Sequence, residues 1–421
     1  MFKKTTIKNG LRIITVPQKN TQSLTVLVLV GTGSKYEKKE INGISHFLEH
    51  MYFKGTRKRP STTAIAETLD KVGGIYNAFT GEEYTGYFAK VASPYFDLAL
   101  DWVSDIFLNS ILPEKEIEKE KGVIIEEINM IYDHPMNYVQ TLWNKLLYGD
   151  QPAGWDIAGT KETVPKMTRE KLIDYMKKQY VAKNTIVSVA GNFNEKLAID
   201  KVKKYFSKIK TKKPIEKPKV IESQEKPEIL LHFRQTDQTH LCLGTRAFNL
   251  FHPQRYALDL LNVILGGMMS SRLFIEVRAK LGIAYYINTN CEMNPDTGFL
   301  FTQTGLDNKN VEKGVLTILK EYKKISEKKV PPSELQKAKD YLRGKTTLLL
   351  ESSDAMASFY ATQELLEKKI LTPEEIFKKI DMVTTEDILK LAKEIFRPEK
   401  LNLALIGPFK EKDKFQQLLK I

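Results

Sequence analysis

The spacing of apolar residues along the first third of the chain predicts strands and helices in mixed order. Thr5–Thr15 alternates apolar and polar residues around Asn9-Gly10, a dipeptide typical of hairpin turns. The continuous apolar run Leu24–Val30 predicts a buried strand. The same patterns predict further strands at Ile75–Thr80 and Tyr84–Val91, and helices at Gly43–Phe53, Thr62–Val72, Phe96–Leu108 and Pro113–Asp133. Hairpins beside helices favour an α+β fold over a doubly wound parallel sheet.

The pattern occurs twice along the chain. Three phrases anchored on glycine recur in the same order: LTVLVLVGTGSK and THLCLGTRAF, TGYFAKV and TGFLFTQTG, and IVSVAGNF and LALIGPF. The two copies are separated by a nearly constant offset of about 210–220 residues, which indicates a duplicated fold. Chance similarity between short apolar strands is the alternative.

A charged segment separates the two copies. It contains Pro214, Pro218 and Pro227 among Lys and Glu residues and has little periodic apolar content, which is typical of a linker. We therefore predict domains at residues 1–207 and 228–421, joined by a linker at 208–227.

Composition narrows the class of protein. The two cysteines exclude a disulfide scaffold, and the expected location is the cytoplasm. No apolar run is long enough to span a bilayer, and no membrane partner is expected. The net charge is +13, but lysines are interspersed with glutamates, so we expect a solvated surface and no nucleic-acid partner. A nucleic-acid-binding protein remains an alternative that only this charge supports.

The segment GISHFLEHMYFKGT predicts an amphipathic helix. Asn42 is positioned to cap its start, and Gly55 to end it. Its buried stripe consists of Ile44, Phe47, Leu48 and Met51.

Two histidines of this helix are placed to bind one metal ion. His46 and His50 are four residues apart, so their side chains lie on the same side, one turn apart. Glu49 completes the pattern H-x-x-E-H, an inverted zinc-peptidase motif that arises by chance about 0.01 times in such a chain. The alternative is a helix whose histidines merely line a groove.

A third ligand must come from elsewhere, because catalytic zinc usually has three protein ligands. The helix predicted at Pro113–Asp133 carries Glu120 and Glu127 two turns apart on one face, whereas Glu126 points about 100° away. One carboxylate could ligate zinc and the other could orient a histidine ligand. On the residues alone, an exposed acidic face is the alternative.

These motifs resemble the pitrilysin/insulinase family of zinc peptidases, and more closely its bacterial and mitochondrial processing-peptidase branch. That family carries H-x-x-E-H and then a glutamate about 75 residues later, and here 76 residues lie between His50 and Glu127. The resemblance implies that His46, His50 and Glu127 bind Zn²⁺, that Glu49 is the general base, and that Glu120 supports the site.

The resemblance extends to a strand that receives substrate. The segment GGIYNAFTGEEYTGYFAKV is similar to the family's edge strand, to which a peptide adds as a further strand. The implied substrate-binding residues are Asn77, Ala78, Phe79 and Thr80. An ordinary internal strand is the alternative.

The second copy lacks the histidine motif and resembles the family in another way. SSRLFIEVRAKLGIAYYINT is similar to the family's Arg/Tyr segment, in which Arg278 and Tyr285 would help to bind substrate and stabilise the reacting carbonyl. Arg278 is predicted late in an amphipathic helix that Gly282 ends, and Tyr285 in the strand that follows. A surface arginine and a half-buried tyrosine are the alternative.

The resemblance implies a zinc metalloendopeptidase that hydrolyses unfolded peptides or presequence-like segments. Family members enclose their substrate with four roll-shaped domains arranged as a clamshell. This chain would supply two such domains, one half of the clamshell, so a homodimer is expected. Each site would combine the zinc of one chain with Arg278 and Tyr285 of the other. The alternative function is a non-catalytic core or partner subunit of the same fold.

Overall fold

A computed structural model describes residues 2–419. The chain forms two compact units. Unit 1 runs to Asn129 and also contains Trp155–Pro218 and Leu348–Leu371. Unit 2 contains Met130–Gly154, Lys219–Thr347 and the chain from Thr372 onward. The outer limits of the predicted domains, residues 1 and 421, lie outside the described residues.

Unit 1 contains a mixed sheet of six strands. Its strands are β1 (Lys3–Thr6), β2 (Arg12–Pro17), β3 (Ser23–Val30), β4 (Ile75–Thr80), β5 (Thr85–Ala92) and β6 (Thr185–Gly191). Their order across the sheet is β1-β2-β6-β3-β5-β4, and β2 and β6 are the parallel pair. The predicted hairpin is the antiparallel pair β1 and β2, with Gly10 at a φ of 91° in the turn.

The helices of unit 1 cover both faces of this sheet. They are α1 (Ile44–Met51), α2 (Thr62–Asp70), α3 (Phe96–Asn109), α4 (Glu114–Asp133), α6 (Arg169–Gln179), α7 (Glu195–Phe206) and α11 (Ser353–Leu366). Val26 and Val28 pack under α1 and α3, whereas Leu27 and Leu29 pack against α11 on the opposite face. Strand β3 is therefore buried on both faces, which explains its uninterrupted apolar run.

Unit 2 repeats this arrangement with five strands. They are β7 (Glu228–Phe233), β8 (Gln238–Arg246), β9 (Ala284–Met293), β10 (Gly298–Asp307) and β11 (Leu401–Gly407). Their order is β7-β11-β8-β10-β9, and β7 and β11 are the parallel pair. The helices are α5 (Pro135–Tyr148), α8 (Arg255–Asn262), α9 (Val311–Glu327), α10 (Pro332–Leu349), α12 (Pro373–Asp381), α13 (Thr385–Ile395) and α14 (Lys412–Leu418). Two π-helical segments, Val263–Gly267 and Phe274–Lys280, lie between α8 and β9.

The two sheets share one topology, as the repeated phrases predicted. The order β2-β6-β3-β5-β4 in unit 1 corresponds to β7-β11-β8-β10-β9 in unit 2. The last recurrent glycines, Gly191 and Gly407, end the equivalent strands β6 and β11. The α+β fold with two homologous units is thereby confirmed.

The units differ in one respect from the contiguous halves predicted at residues 1–207 and 228–421. Helix α5 lies in the first half of the sequence but packs on β11 and β8 of unit 2, where Trp143 is fully buried against Phe299 and Phe301. Helix α11 lies in the second half but packs on β3 and β6 of unit 1. Each sheet thus buries its second face under a helix from the other half of the sequence. The interval between α7 and β7, which contains the predicted linker, forms neither helix nor strand.

The described part of the chain contains no helix that is both long enough and apolar enough to cross a bilayer.

Candidate metal centre

A buried carboxylate fixes the start of helix α1. Glu37 accepts hydrogen bonds from the backbone N–H groups of Gly43 (2.7 Å) and Ser45 (2.9 Å), and from Asn42 Nδ2 (3.0 Å). The predicted cap by Asn42 is therefore wrong, because the Asn42 side chain supports Glu37 and the carbonyl of Asp156 instead. The helix also ends at Met51, before Gly55. A carboxylate at a helix N-terminus satisfies N–H groups that lack partners within the helix and complements its dipole.

Three candidate ligand atoms converge between helices α1 and α4. The Nε2 atoms of His46 and His50 are 3.2 Å apart, and each lies 3.5 Å from Glu127 Oε2. Within residues 2–419, these three residues form the group able to hold a metal ion. The predicted ligand set is thus assembled from two histidines one turn apart on α1 and a glutamate of α4, 77 positions after His50.

The donor set fits zinc. Tetrahedral N and O ligands about 2.1 Å from a zinc ion lie about 3.4 Å from one another, close to the three separations measured here. Two imidazoles and one carboxylate also form a usual ligand set of catalytic zinc and leave a fourth position open for water or substrate.

Glu120 lies behind the ligands and orients one of them. Its Oε1 atom is 2.8 Å from His50 Nδ1, and its Oε2 atom is 2.7 Å from the ammonium group of Lys54. Because Nδ1–H of His50 donates to Glu120, the Nε2 atom faces the metal position. Burial alone would raise the pKa of Glu120, but the hydrogen bonds from His50 and Lys54 outweigh it and lower that pKa. Glu120 is therefore held as an anion.

The two histidines differ in their protonation. Burial and, to a smaller extent, the neighbouring His50 together lower the pKa of His46 to about 4. Burial also opposes the charge of His50, but hydrogen bonds to Glu120 and Glu127 raise the pKa of His50 to about 9. Without metal, a proton on His50 thus occupies the region between the ligands, and a binding cation must displace it.

Glu49 is hydrogen-bonded to strand β4, whereas Glu120 is hydrogen-bonded to His50. Its Oε2 atom accepts a hydrogen bond of 2.5 Å from the Thr80 hydroxyl at the end of β4. Burial raises the pKa of Glu49 above its usual range, although the Thr80 hydrogen bond opposes this. A carboxylate with a raised pKa is a better proton acceptor near neutral pH, as a general base requires.

The predicted substrate strand is the outermost strand of its sheet. Strand β4 follows β5 at the end of the order. Asn77 is exposed, Ala78 is buried, and Phe79 and Thr80 are half-buried. The strand thus has the edge position that strand addition requires.

Arg278 and Tyr285 contact each other within unit 2. The guanidinium carbon of Arg278 lies 5.3 Å from the centre of the Tyr285 ring and 4.8 Å from that of Phe274. Arg278 lies in the π-helical segment Phe274–Lys280 and not in the predicted α-helix, whereas Tyr285 lies in β9 as predicted. π-Helical turns occur frequently at functional sites.

Two residues that support the metal centre were missed by the sequence reasoning. Lys54 lies beyond the end of α1, so the helical spacing that related His46 to His50 does not extend to it. Glu37 lies outside α1 and reaches it through the irregular segment that precedes the helix, which no periodic pattern reveals.

The geometry defines a class of protein: a zinc-type centre on an inverted H-x-x-E-H helix, completed by a glutamate from a second helix. The comparisons with known proteins agree. The family profile "Insulinase (Peptidase family M16)" matches residues 12–161, and "Peptidase M16 inactive domain" matches residues 166–342. The chain belongs to this insulinase, or M16, peptidase family.

Full-length relatives support this membership. The chain is 38% identical over 411 residues to a Bacillus subtilis (strain 168) protein named "Uncharacterized zinc protease YmxG", covering 97% of this chain and 98% of that protein. It is also similar to the crystal structure of a protease from Helicobacter pylori, with a TM-score of 0.90, 25% identity, and coverage of 97% and 99% of the two chains.

The same fold occurs in a protein of another kind. A chain of "Complex III2 from Candida albicans" matches with a TM-score of 0.85 and 18% identity over the whole of both chains. At this identity, the likeness shows the fold alone.

Proposed function

We propose that this chain is a zinc metalloendopeptidase that hydrolyses unfolded peptides or presequence-like segments inside a dimeric chamber in the cytoplasm. The cofactor is a zinc ion, in agreement with membership of the insulinase family and with the zinc-protease name of its relative. One observation carries the proposal: three ligand atoms lie at tetrahedral separations, and the helix that supplies two of them also carries Glu49, a carboxylate of raised pKa.

His46, His50 and Glu127 would hold the ion, which when bound would supply Lewis acidity toward the scissile carbonyl and lower the pKa of water. Glu49 accepts a proton from the attacking water and later passes it to the leaving amine. Glu120 keeps His50 in the tautomer whose Nε2 lone pair faces the ion.

Strand β4 is proposed to bind the substrate. An extended peptide that pairs with its free edge would gain backbone hydrogen bonds that do not depend on sequence. Because Thr80 of this strand donates to Glu49, the strand that binds the peptide would also be hydrogen-bonded to the general base. This arrangement favours unfolded segments over folded proteins, since a folded domain rarely offers an unpaired strand.

Arg278 and Tyr285 are proposed to assist from a second copy of the chain. Their guanidinium and phenol groups are suitable donors to a developing oxyanion. They belong to unit 2, whereas the zinc ligands belong to unit 1. A homodimer in which unit 1 of one chain faces unit 2 of the other would complete two sites.

A non-catalytic core or partner subunit is the second candidate function. The shared fold with a complex III chain favours it. The complete ligand set of this chain, with both carboxylates in contact with His50, opposes it.

Digestion of a mixed peptide library with zinc-loaded protein tests hydrolysis. We expect internal cleavages, detected by mass spectrometry, that disappear with a chelator and return with added zinc. A zinc-loaded, correctly folded protein that cleaves none of the peptides would instead support the non-catalytic role.

Complementation tests the dimer. A mixture of Glu49→Gln chains and Tyr285→Phe chains forms mixed dimers in which one site has both defects and the other has none. Activity should return toward half of the wild-type level per mixed dimer once subunits exchange. Verified exchange without recovery would show that Tyr285 does not act in the partner's site.

A further inference from the structure

The strand that carries Tyr285 contains a β-bulge at this residue. Thr304 of β10 pairs with Ile287, and Leu306 pairs with Ala284, so Tyr285 and Tyr286 together oppose the single residue Gly305. A bulge of this kind places one extra residue on one strand and redirects its side chains.

The bulge determines which face of the sheet Tyr285 occupies. In a regular strand, side chains alternate, and Tyr285 would share the buried face with Ile287. Here Ala284 (8% exposed) and Ile287 (4%) both lie on the buried face, while Tyr285 is 80% exposed. The extra residue therefore moves the Tyr285 phenol out of the core.

A hydrogen-bonded pair of rings lies at the bulge. The Tyr286 hydroxyl lies 2.8 Å from Nδ1 of His240 on β8, and the two rings are stacked with centres 5.9 Å apart. Burial raises the pKa of Tyr286 and lowers that of His240, so a neutral phenol donates to a neutral imidazole. The Thr304 hydroxyl also donates to the Tyr286 carbonyl at 2.8 Å.

Gly305 makes this contact possible. It lies on β10 between the two rings and pairs with His240. A Cβ atom at this position would lie 2.8 Å from Tyr286 Cε1 and 3.2 Å from His240 Nδ1. Any side chain at residue 305 would therefore force the two rings apart.

We propose that three positioning residues, His240, Tyr286 and Gly305, form a clamp that holds the Tyr285 phenol in the orientation in which it meets substrate. This inference rests on the proposed function, in which Tyr285 assists at the reacting carbonyl. Arg278, which lies over the exposed Tyr285 ring, would be held with it.

Tyr286→Phe removes the hydroxyl and keeps the ring. Tyr341→Phe is the matched control, because Tyr341 also makes one phenol hydrogen bond of 2.8 Å in unit 2, to the Gly267 carbonyl. In zinc-loaded protein, we expect Tyr286→Phe to speed hydrogen exchange in the segment 284–287 by about fivefold, the effect of one net hydrogen bond. The control should leave this segment unchanged. Equal exchange in both variants would overturn the existence of the clamp.

A double-mutant cycle then asks whether the clamp acts through Tyr285. We expect Tyr286→Phe to lower kcat about tenfold with little change in KM, and to cause no further loss in a Tyr285→Phe background. Gly305→Ala keeps both His240 and Tyr286 and should reproduce the loss of kcat by forcing their rings apart. If the fold losses of kcat in the two single variants multiplied in the double variant, the positioning role would be overturned. If Tyr285→Phe alone were fully active, the proposed role of Tyr285 would fail, while the exchange measurement would still decide whether the clamp exists.

Discussion

Replacement of Glu120 by Gln tests how the metal centre is supported. Glu120 accepts from two donors at once, His50 Nδ1 at 2.8 Å and Lys54 Nζ at 2.7 Å, one through each carboxylate oxygen. A glutamine has the same shape but offers one oxygen and one NH₂ group. One of the two donors must then face another donor, and the site also loses the negative charge that balances Lys54.

The expected result is a weaker zinc site in an otherwise intact protein. Loss of a carboxylate that supports a histidine ligand typically lowers metal affinity about 10- to 100-fold, or about 1.4–2.8 kcal/mol. The assay is competition for zinc with a chromophoric chelator at fixed pH. Glu126→Gln is the control, because Glu126 is exposed on the same helix and makes only a long contact of 3.4 Å with Asn129. Equal zinc affinity in the two variants would refute the supporting role of Glu120.

Three further predictions follow from the same geometry. His50→Ala should lower zinc from one ion per chain to a small fraction in elemental analysis, and full occupancy would disprove the ligand assignment. Because the pKa of metal-free His50 is raised to about 9, zinc binding at pH 7.5 should release about one proton. Titration calorimetry in buffers of different ionisation enthalpy measures this release, and its absence would contradict that protonation state. Burial raises the pKa of Glu37 from 4.5 to about 7, so the folded state binds the Glu37 proton more tightly than the unfolded state. The contribution of Glu37 to stability is therefore lost as the pH rises from about 4.5 through 7. Glu37→Gln should lack that component when the free energy of unfolding is measured at pH 4.5 and pH 8, and identical pH profiles would argue against it.

The sequence predicted the parts of the site that depend on helical periodicity. The spacing of His46 and His50 on one helix, and of Glu120 and Glu127 on another, is local and was recovered by the structure. The convergence of the two helices came from the family resemblance, because contacts between distant segments leave no local pattern. The edge position of β4 likewise depends on the order of strands in the sheet.

Contacts between distant residues account for what the sequence reasoning missed. The exchange of α5 and α11 between the two halves of the sequence has no local signal, because the apolar residues of a helix do not specify which sheet it covers. The cap of α1 was assigned to Asn42 because it is adjacent to the helix, whereas the buried Glu37 carboxylate reaches two backbone N–H groups. The bulge at Tyr285 was not visible either, since it depends on the pairing of β9 with β10.

Replacement of Glu49 by Gln tests directly whether this chain is a zinc peptidase. Glu49→Gln keeps the size of the side chain and can still accept from Thr80, but it cannot accept a proton from water. The measurement is the zinc content and the peptide turnover of one purified sample of this variant, beside wild type and Glu126→Gln. We predict one zinc ion per chain and turnover reduced about 10²- to 10⁴-fold, the usual contribution of a general base. Turnover near the wild-type level in the fully zinc-loaded variant would contradict this prediction.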